Sequence, residues 1–405
     1  MSVPSQSKAP ESIPDWVCAV LGAAGERYFS DRFHIEGLEI VLNSVDPSLV
    51  RWALRYLQPL SMGSDAPEQE SCTIFCLYSD ELVLEATRHF AVEDNVEFLG
   101  YAKDRALLKC AHISDTLILY CNGRGGLFWL ADFESRTIFI VFSSRSKMPA
   151  LDFARTVRDV VTSYLTDQGW SLYHAGAVDT PAGAVMIVGN PGAGKTSLIL
   201  ALVRGGARYI ANEQLFVRAD GDSVRVLGYP LAIAVGLGTA LQFPGLSDLV
   251  ENPDLMLYPR RRFSASRLAR TPRSRWPFLD DKLQLLPEEL DSYLGMPGVA
   301  PGGRPGGRLC ALVVPQMRKK PVAPEARALG RRALSRLLSD NLLDATLSQS
   351  RLSWSQMVVQ GASGIDDEGS VKRLCDMGAV RFRFSLSASE GNGLHIDMLL
   401  DAALA

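Results

Sequence analysis

Hydrophobic positions along this chain follow two periods, and the switches between them predict its elements. Residues 72–78, 106–110, 116–120 and 137–142 are short runs rich in β-branched and aromatic side chains, so they predict strands. Residues 47–57 carry a helical pattern, with Asp46 as N-cap, Pro47 at the first position and Pro59 just beyond the end. Leu151, Phe153, Ala154, Val157, Val160, Val161 and Leu165 recur on one helical face, so residues 150–168 predict a helix that Gly169 closes. Residues 184–188 form an apolar run that predicts a strand, and 197–203 predict a helix. Farther on, 309–314 predict a strand and 325–347 a helix, then 371–375 and 380–386 predict a helix and a strand. Glycine-rich stretches at 122–126 and 300–307 predict a turn and a flexible loop or linker.

Composition narrows the class. The chain has 405 residues, 47% hydrophobic and 21% charged, which is enough apolar content for a core and argues against disorder. Its length predicts two or three domains. A net charge of −3 disfavours a nucleic-acid partner for the protein as a whole. No apolar run is long enough for a membrane helix, and the first sixteen residues lack the apolar region of a secretory signal. The expectation is a cytoplasmic protein with no membrane partner. The odd cysteine count and an isolated Cys72/Cys76 pair predict reduced structural thiols rather than disulfides or a zinc site.

The strongest chemical signal follows the apolar run at 184–188. Gly189-Asn190-Pro191-Gly192-Ala193-Gly194-Lys195-Thr196 matches the pattern GxxxxGK[ST], and a helical pattern opens at Ser197. A strand, a glycine loop and a helix in that order form a phosphate-binding P-loop. The glycines let the backbone curl so that successive N–H groups face phosphate oxygens, and the helix N-terminus adds partial positive charge. Lys195 supplies a point charge for the β- and γ-phosphates, and the Thr196 hydroxyl is placed to ligate Mg²⁺. Residues 189–197 are therefore the candidate nucleotide site, with ATP and Mg²⁺ as the expected cofactors.

The surrounding order of residues resembles a known family. His174-Ala175-Gly176-Ala177-Val178 precedes the loop. Leu202-Val203-Arg204-Gly205, Ala211-Asn212-Glu213, Leu227-Gly228-Tyr229-Pro230 and Val235-Gly236-Leu237-Gly238 follow it. Over about residues 170–240 this is similar to the catalytic domain of bacterial HPr kinase/phosphorylase. The resemblance implies transfer of the γ-phosphoryl of ATP to a serine hydroxyl of a protein. It also implies that His174 sits near the transferred group and that Thr196 and an acidic residue hold Mg²⁺. Two positions depart from the family. Its Asp-Asp pair is Asn212-Glu213 here, and Val235 stands where it carries arginine. An amide takes up no proton at neutral pH, so Glu213 is the candidate base and metal ligand. These departures resemble the divergent HPr-kinase-like proteins of peptide natural-product (RiPP) clusters. Some of those phosphorylate a serine of a ribosomally made precursor, including lasso peptide precursors.

Other features admit plainer readings. Arg260, Arg261, Arg262, Arg267, Arg270, Arg273 and Arg275 form a basic stretch. It reads as a solvated loop, or as a lid or docking segment that replaces the arginine lost at Val235. Asp280-Asp281-Lys282 balances that charge or caps the next helix, and Asp220-Gly221-Asp222 reads as a hairpin turn.

The combined expectation is an α/β P-loop kinase-like core (HPr kinase-like) preceded by an α+β N-terminal domain. Residues 1–14 form a polar tail and 15–148 a domain suited to acceptor recognition. Residues 149–300 form the ATP-binding core, which 301–405 complete or extend. The expected enzyme is an ATP-dependent kinase, with His174, Lys195 and Glu213 catalytic and Thr196 and Glu213 on the metal. Its expected partner is a peptide or protein acceptor, and homo-oligomerisation stays open. The rivals are a small-molecule kinase and a catalytically weak nucleotide-binding regulator.

Overall fold

A computed structural model describes residues 13–25, 28–57, 70–92, 97–101, 106–122, 126–229, 232–252, 265–294, 306–318, 320, 322–343 and 367–385. The chain is α/β, with mixed sheets of parallel and antiparallel strands. It divides into two compact units, and the main boundary falls between Tyr164 and Leu165. The sequence expectation set that boundary at 148/149, one helix earlier.

The first unit is built on an eight-stranded sheet. Its elements are α1 (Asp15–Gly22), β1 (Phe29–Ile35), β2 (Leu38–Ser44), α2 (Pro47–Leu57), β3 (Glu70–Tyr78), α3 (Asp80–Val92), β4 (Glu97–Tyr101), β5 (Ala106–His112), β6 (Leu117–Asn122), β7 (Leu127–Asp132) and β8 (Thr137–Phe142). The sheet order is β1-β2-β3-β8-β7-β6-β5-β4; β3 is parallel to both β2 and β8, and the other pairs are antiparallel. The N-cap expected for α2 forms, since the Asp46 carboxylate accepts the Ser48 N–H at 2.8 Å. Cys72 and Cys76 lie on one buried side of β3, where burial pushes both thiols up to about 12. Such thiols stay protonated at neutral pH.

The second unit carries the sequence motif. After α4 (Pro149–Asp167) come β9 (Ser171–Tyr173), β10 (Ala175–Thr180), β11 (Gly183–Val188), α5 (Lys195–Arg204), β12 (Arg208–Ala211), β13 (Leu215–Asp220) and β14 (Ser223–Gly228). Next are β15 (Ile233–Gly236), α6 (Leu237–Ala240), α7 (Pro244–Glu251), α8 (Ala265–Arg270), β16 (Lys282–Leu285) and α9 (Pro287–Leu294). The unit ends with β17 (Gly306–Met317), β18 (Glu325–Ala328), α10 (Arg331–Asn341), β19 (Leu342–Leu343), α11 (Asp367–Met377) and β20 (Val380–Phe384). The main path of its large sheet is β12-β10-β11-β17-β14-β13-β9-β19, and β20 joins β17 and β18. β17 is parallel to β11 and β20 and antiparallel to β14.

This sheet is buried on both faces, which explains why β11 reads as an unbroken apolar run. Val185 and Ile187 pack on one face with Leu198, Ile199, Leu202 and Val203 of α5. Ala184, Met186 and Val188 pack on the other with Leu334 and Leu338 of α10 and Leu374 of α11. Each fully buried Val, Leu, Ile or Met side chain among these contributes about 1.5–3 kcal/mol. The layering pins the start of α5 at the C-terminal end of β11.

Three expectations are corrected. Of the helix expected over 325–347, the described part, 325–343, is the strand β18, a break at Gly330, α10 and β19, and 344–347 lie outside the described residues. Apolar residues begin to recur at helical spacing only at Leu334 and Leu338, whereas Glu325–Ala328 pairs with β20. The linker expected over 300–307 ends early, because Gly306 and Gly307 already belong to β17. A Cβ on Gly306 would lie 2.0 Å from the Val226 carbonyl oxygen, so glycine there serves close strand packing. Of the two readings of Asp280-Asp281-Lys282, helix capping fails, since Lys282 opens β16, and charge balance holds, since Asp281 pairs with Arg267 at 3.0 Å. The hairpin expected around Gly221 is present between β13 and β14. Pro59, residues 1–12, 123–125 and 300–305, His395, and Arg260, Arg261 and Arg262 lie outside the described residues.

Candidate functional site

The glycine loop joins β11 to α5. Gly192 and Gly194 take φ of +79° and +99°, a left-handed backbone that curls the loop back toward its own helix. At Gly194 an added Cβ would also stand 2.6 Å from Cβ of Met317, so both conformation and space require glycine. The Ala193 N–H donates to the Asn190 carbonyl at 3.1 Å, and the Ala193 carbonyl accepts from the Met317 N–H at 3.0 Å. The end of β17 thereby holds the loop in place.

Lys195 is buried, only 8% exposed. Its ammonium donates to the Gly189 carbonyl at 2.6 Å, across the mouth of its own loop. Burial lowers its pKa to about 8, an effect that Glu213 opposes and Lys282 reinforces. The Ser197 hydroxyl shares a 2.8 Å hydrogen bond with that of Thr239, which ties α5 to α6.

A cavity of about 260 Å³ opens beside this loop. His174, Asn190, Pro191, Gly192, Gly194, Lys195, Thr196, Ser197 and Glu213 all line it, so the predicted site residues from three separate sequence segments converge. Of the loop residues, Gly189 and Ala193 do not line the cavity; their backbone carbonyls accept from Lys195 and Met317. His174 sits between β9 and β10, and its N–H is held by the Asn341 carbonyl at 2.7 Å.

Asn212 also borders the cavity, but its amide is committed. Nδ2 donates to the Ala234 carbonyl at 3.2 Å, and the Tyr209 hydroxyl donates to Oδ1 at 3.4 Å. Burial and the nearby Glu213 charge push the Tyr209 hydroxyl above its ordinary range, so it remains a donor. Asn212 thus braces β12 against β15. Glu213 follows it into the cavity and pairs with Lys282 at 3.1 Å.

Four cavity residues were missed by sequence reasoning, Ala234, Thr239, Lys282 and Met317. Lys282 lies across β15 in register with Gly236, next to the Val235–Leu283 pair. Its signal was the alternation of Lys282-Leu283-Gln284-Leu285, a half-buried strand pattern hidden within a charged tract. Val235 itself is fully buried in the core. The described arginines of the basic stretch do not line the cavity. Arg267 pairs with Asp281 at 3.0 Å, and Arg273 pairs with Glu251 at 2.5 Å.

The cavity therefore combines two ammonium groups, one carboxylate, hydroxyls and a glycine-rich backbone curl, a donor set suited to a polyanion. A larger cavity, about 350 Å³ between α10 and α11, lacks a glycine loop. Among the described residues no group of three or more His, Cys, Asp or Glu side chains is placed to hold a metal ion. The Thr196 hydroxyl and Glu213 carboxylate are hard oxygen donors. They fit Mg²⁺, which takes one or two protein oxygens and completes its shell with water and phosphate oxygens. No helix of the described residues is long and apolar enough to cross a membrane. No family model and no curated protein matches the chain.

Proposed function

We propose that this chain is an ATP-dependent phosphotransferase of HPr-kinase-like type, which moves the γ-phosphoryl of Mg-ATP to a Ser or Thr hydroxyl of a peptide or protein. One observation carries the reading: Lys195 and the glycine loop share a cavity with His174 and Glu213, contributed from other segments. The resemblance over residues 170–240 supports the same assignment.

The roles follow from the chemistry of each group. The backbone of residues 189–196 and the N-terminus of α5 bind the phosphates. Lys195 exchanges the Gly189 carbonyl for phosphate oxygens, a stronger, charge-assisted contact. Thr196 and Glu213 would hold Mg²⁺, which when bound offsets negative charge on the β- and γ-phosphates. His174 or Glu213 receives the proton of the acceptor hydroxyl. The acceptor oxygen bonds to the γ-phosphorus as the bridging P–O bond breaks, and ADP leaves with the electron pair.

Asn212 favours a second reading, a regulator that binds nucleotide with little turnover. Its amide is spent on structural hydrogen bonds and supplies no base. Incubation of the full chain with γ-labelled ATP, Mg²⁺ and an extract of the source cells separates the readings, with Lys195→Ala as control. The expected outcome is label on a peptide or protein, absent in the variant. Label on a small molecule would move the acceptor class, and nucleotide binding without transfer would favour the regulator.

A further inference from the structure

Val235 removes a cation from the loop where the resembled family has one, and the basic stretch at 260–275 offered a replacement. Neither Arg267 nor Arg273 fills that place, since each is paired with an acid outside the cavity. The second cation in the cavity is Lys282. β16 runs antiparallel to β15 and sets Lys282 opposite Gly236, one residue from Val235. Gly236 has nothing within 4 Å of where its Cβ would be, so no side chain separates this stretch of β15 from the cavity.

Lys282 is not simply a solvated surface lysine. Its ammonium is 3.1 Å from Oε1 of Glu213, yet its side chain remains 40% exposed and that of Glu213 28% exposed. An ion pair this accessible is weak and can be exchanged for another partner. A triphosphate in the cavity would present that alternative to Lys282, with several oxygens and more charge than one carboxylate. Glu213 would then be free to accept a metal ion in place of the ammonium.

We infer that Lys282 is the second phosphate-binding cation of this site, and that it holds Glu213 in an ion pair until a nucleoside triphosphate takes its place. This rests on the nucleotide-binding reading above. It makes metal binding at Glu213 depend on nucleotide: with the ammonium in contact, the carboxylate is a poor ligand for a divalent cation alone.

The test uses the full chain and two probes, Mg-ATP by calorimetry and Mn²⁺ alone by its effect on water relaxation. Lys282→Met is expected to weaken Mg-ATP binding by roughly ten- to hundredfold, the loss of one charge-assisted contact. The same variant is expected to bind Mn²⁺ alone more tightly than the unmodified chain, and adding Glu213→Gln should cancel that gain. Lys282→Arg, which keeps the charge, should retain most of the Mg-ATP affinity. Lys282→Gln keeps the polar face of β16 and is measured beside Lys282→Met, with thermal melting to confirm that each folds. Opposite shifts for the two probes support the inference, because a lysine that only braces the fold would weaken both. Unchanged Mg-ATP binding in both neutral variants, or parallel losses of both probes, overturns it. If the unmodified chain binds Mg-ATP and Lys195→Ala does not, the nucleotide reading stands whatever Lys282 does. If the unmodified chain binds no nucleotide, both fall.

Discussion

At the scale of single residues, the site is governed by the environment of Lys195. Its folded pKa of about 8 lies below the ordinary lysine value of 10.5, chiefly because burial penalises the charged form. On the proposed reading phosphate contacts require the ammonium, so affinity for Mg-ADP should fall as pH rises through about 8. The steepest expected loss is about tenfold per pH unit, the limit for one proton. Calorimetric titration between pH 7 and 9.5 measures it, and a flat profile would show that the ammonium is not needed. The sign for folding is opposite. Between about pH 8 and 10.5 the unfolded chain holds a proton that the folded chain has released, so this group's contribution to stability rises with pH. Urea unfolding should accordingly show the unmodified chain gaining on Lys195→Met across that window. Asn212 makes the complementary point. From sequence it looked like a damaged catalytic position, whereas in the fold it is a hydrogen-bonded brace between strands.

At the scale of elements, β17 decides the geometry. It is the long strand that joins β11, β14 and β20, and its end anchors the glycine loop through Met317. Gly306 permits the β14–β17 approach, and an added methyl would meet the Val226 carbonyl. Gly306→Ala should therefore destabilise the chain by about 1–3 kcal/mol. Gly307→Ala faces open space and should stay within about 0.5 kcal/mol. Urea midpoints of the two variants test the contrast, and equal values would refute it. The glycine run read from sequence as a linker because its composition is that of a flexible loop. Only the pairing partner, about eighty residues away in the chain, shows why small residues stand there.

At the scale of the whole molecule, the chain has two compact units. Among the described residues, one apolar cluster lies within the first unit, and two others lie on opposite faces of the second unit's sheet. Every residue that lines the cavity beside the glycine loop belongs to the second unit. A chain that begins at Leu165, where the main stretch of the second unit starts, should therefore fold and keep its Mg-ADP affinity within about threefold, the tolerance expected for independent parts. Loss of binding in a truncated chain that melts cooperatively would assign the first unit a share in the site. The same experiment with the acceptor would show where acceptor recognition resides.

The sequence alone determined what local patterns can carry. β11, the glycine loop and α5 were legible because apolar period, glycine spacing and the lysine act over neighbouring residues. The helices α2 and α4 were legible for the same reason, through caps and one-sided apolar faces. Tertiary structure alone decided three things. It made β18 a strand, because pairing with β20 overrides a weak helical pattern. It turned Asn212 from a departure in the family's acidic pair into a brace, because its amide meets Tyr209 of β12 and Ala234 of β15. It brought Lys282 to Glu213 across 69 positions of sequence, through the β15–β16 pairing that no local spacing encodes. Charge is read from composition, but which charges meet is fixed by strand register, and register is a property of the folded sheet.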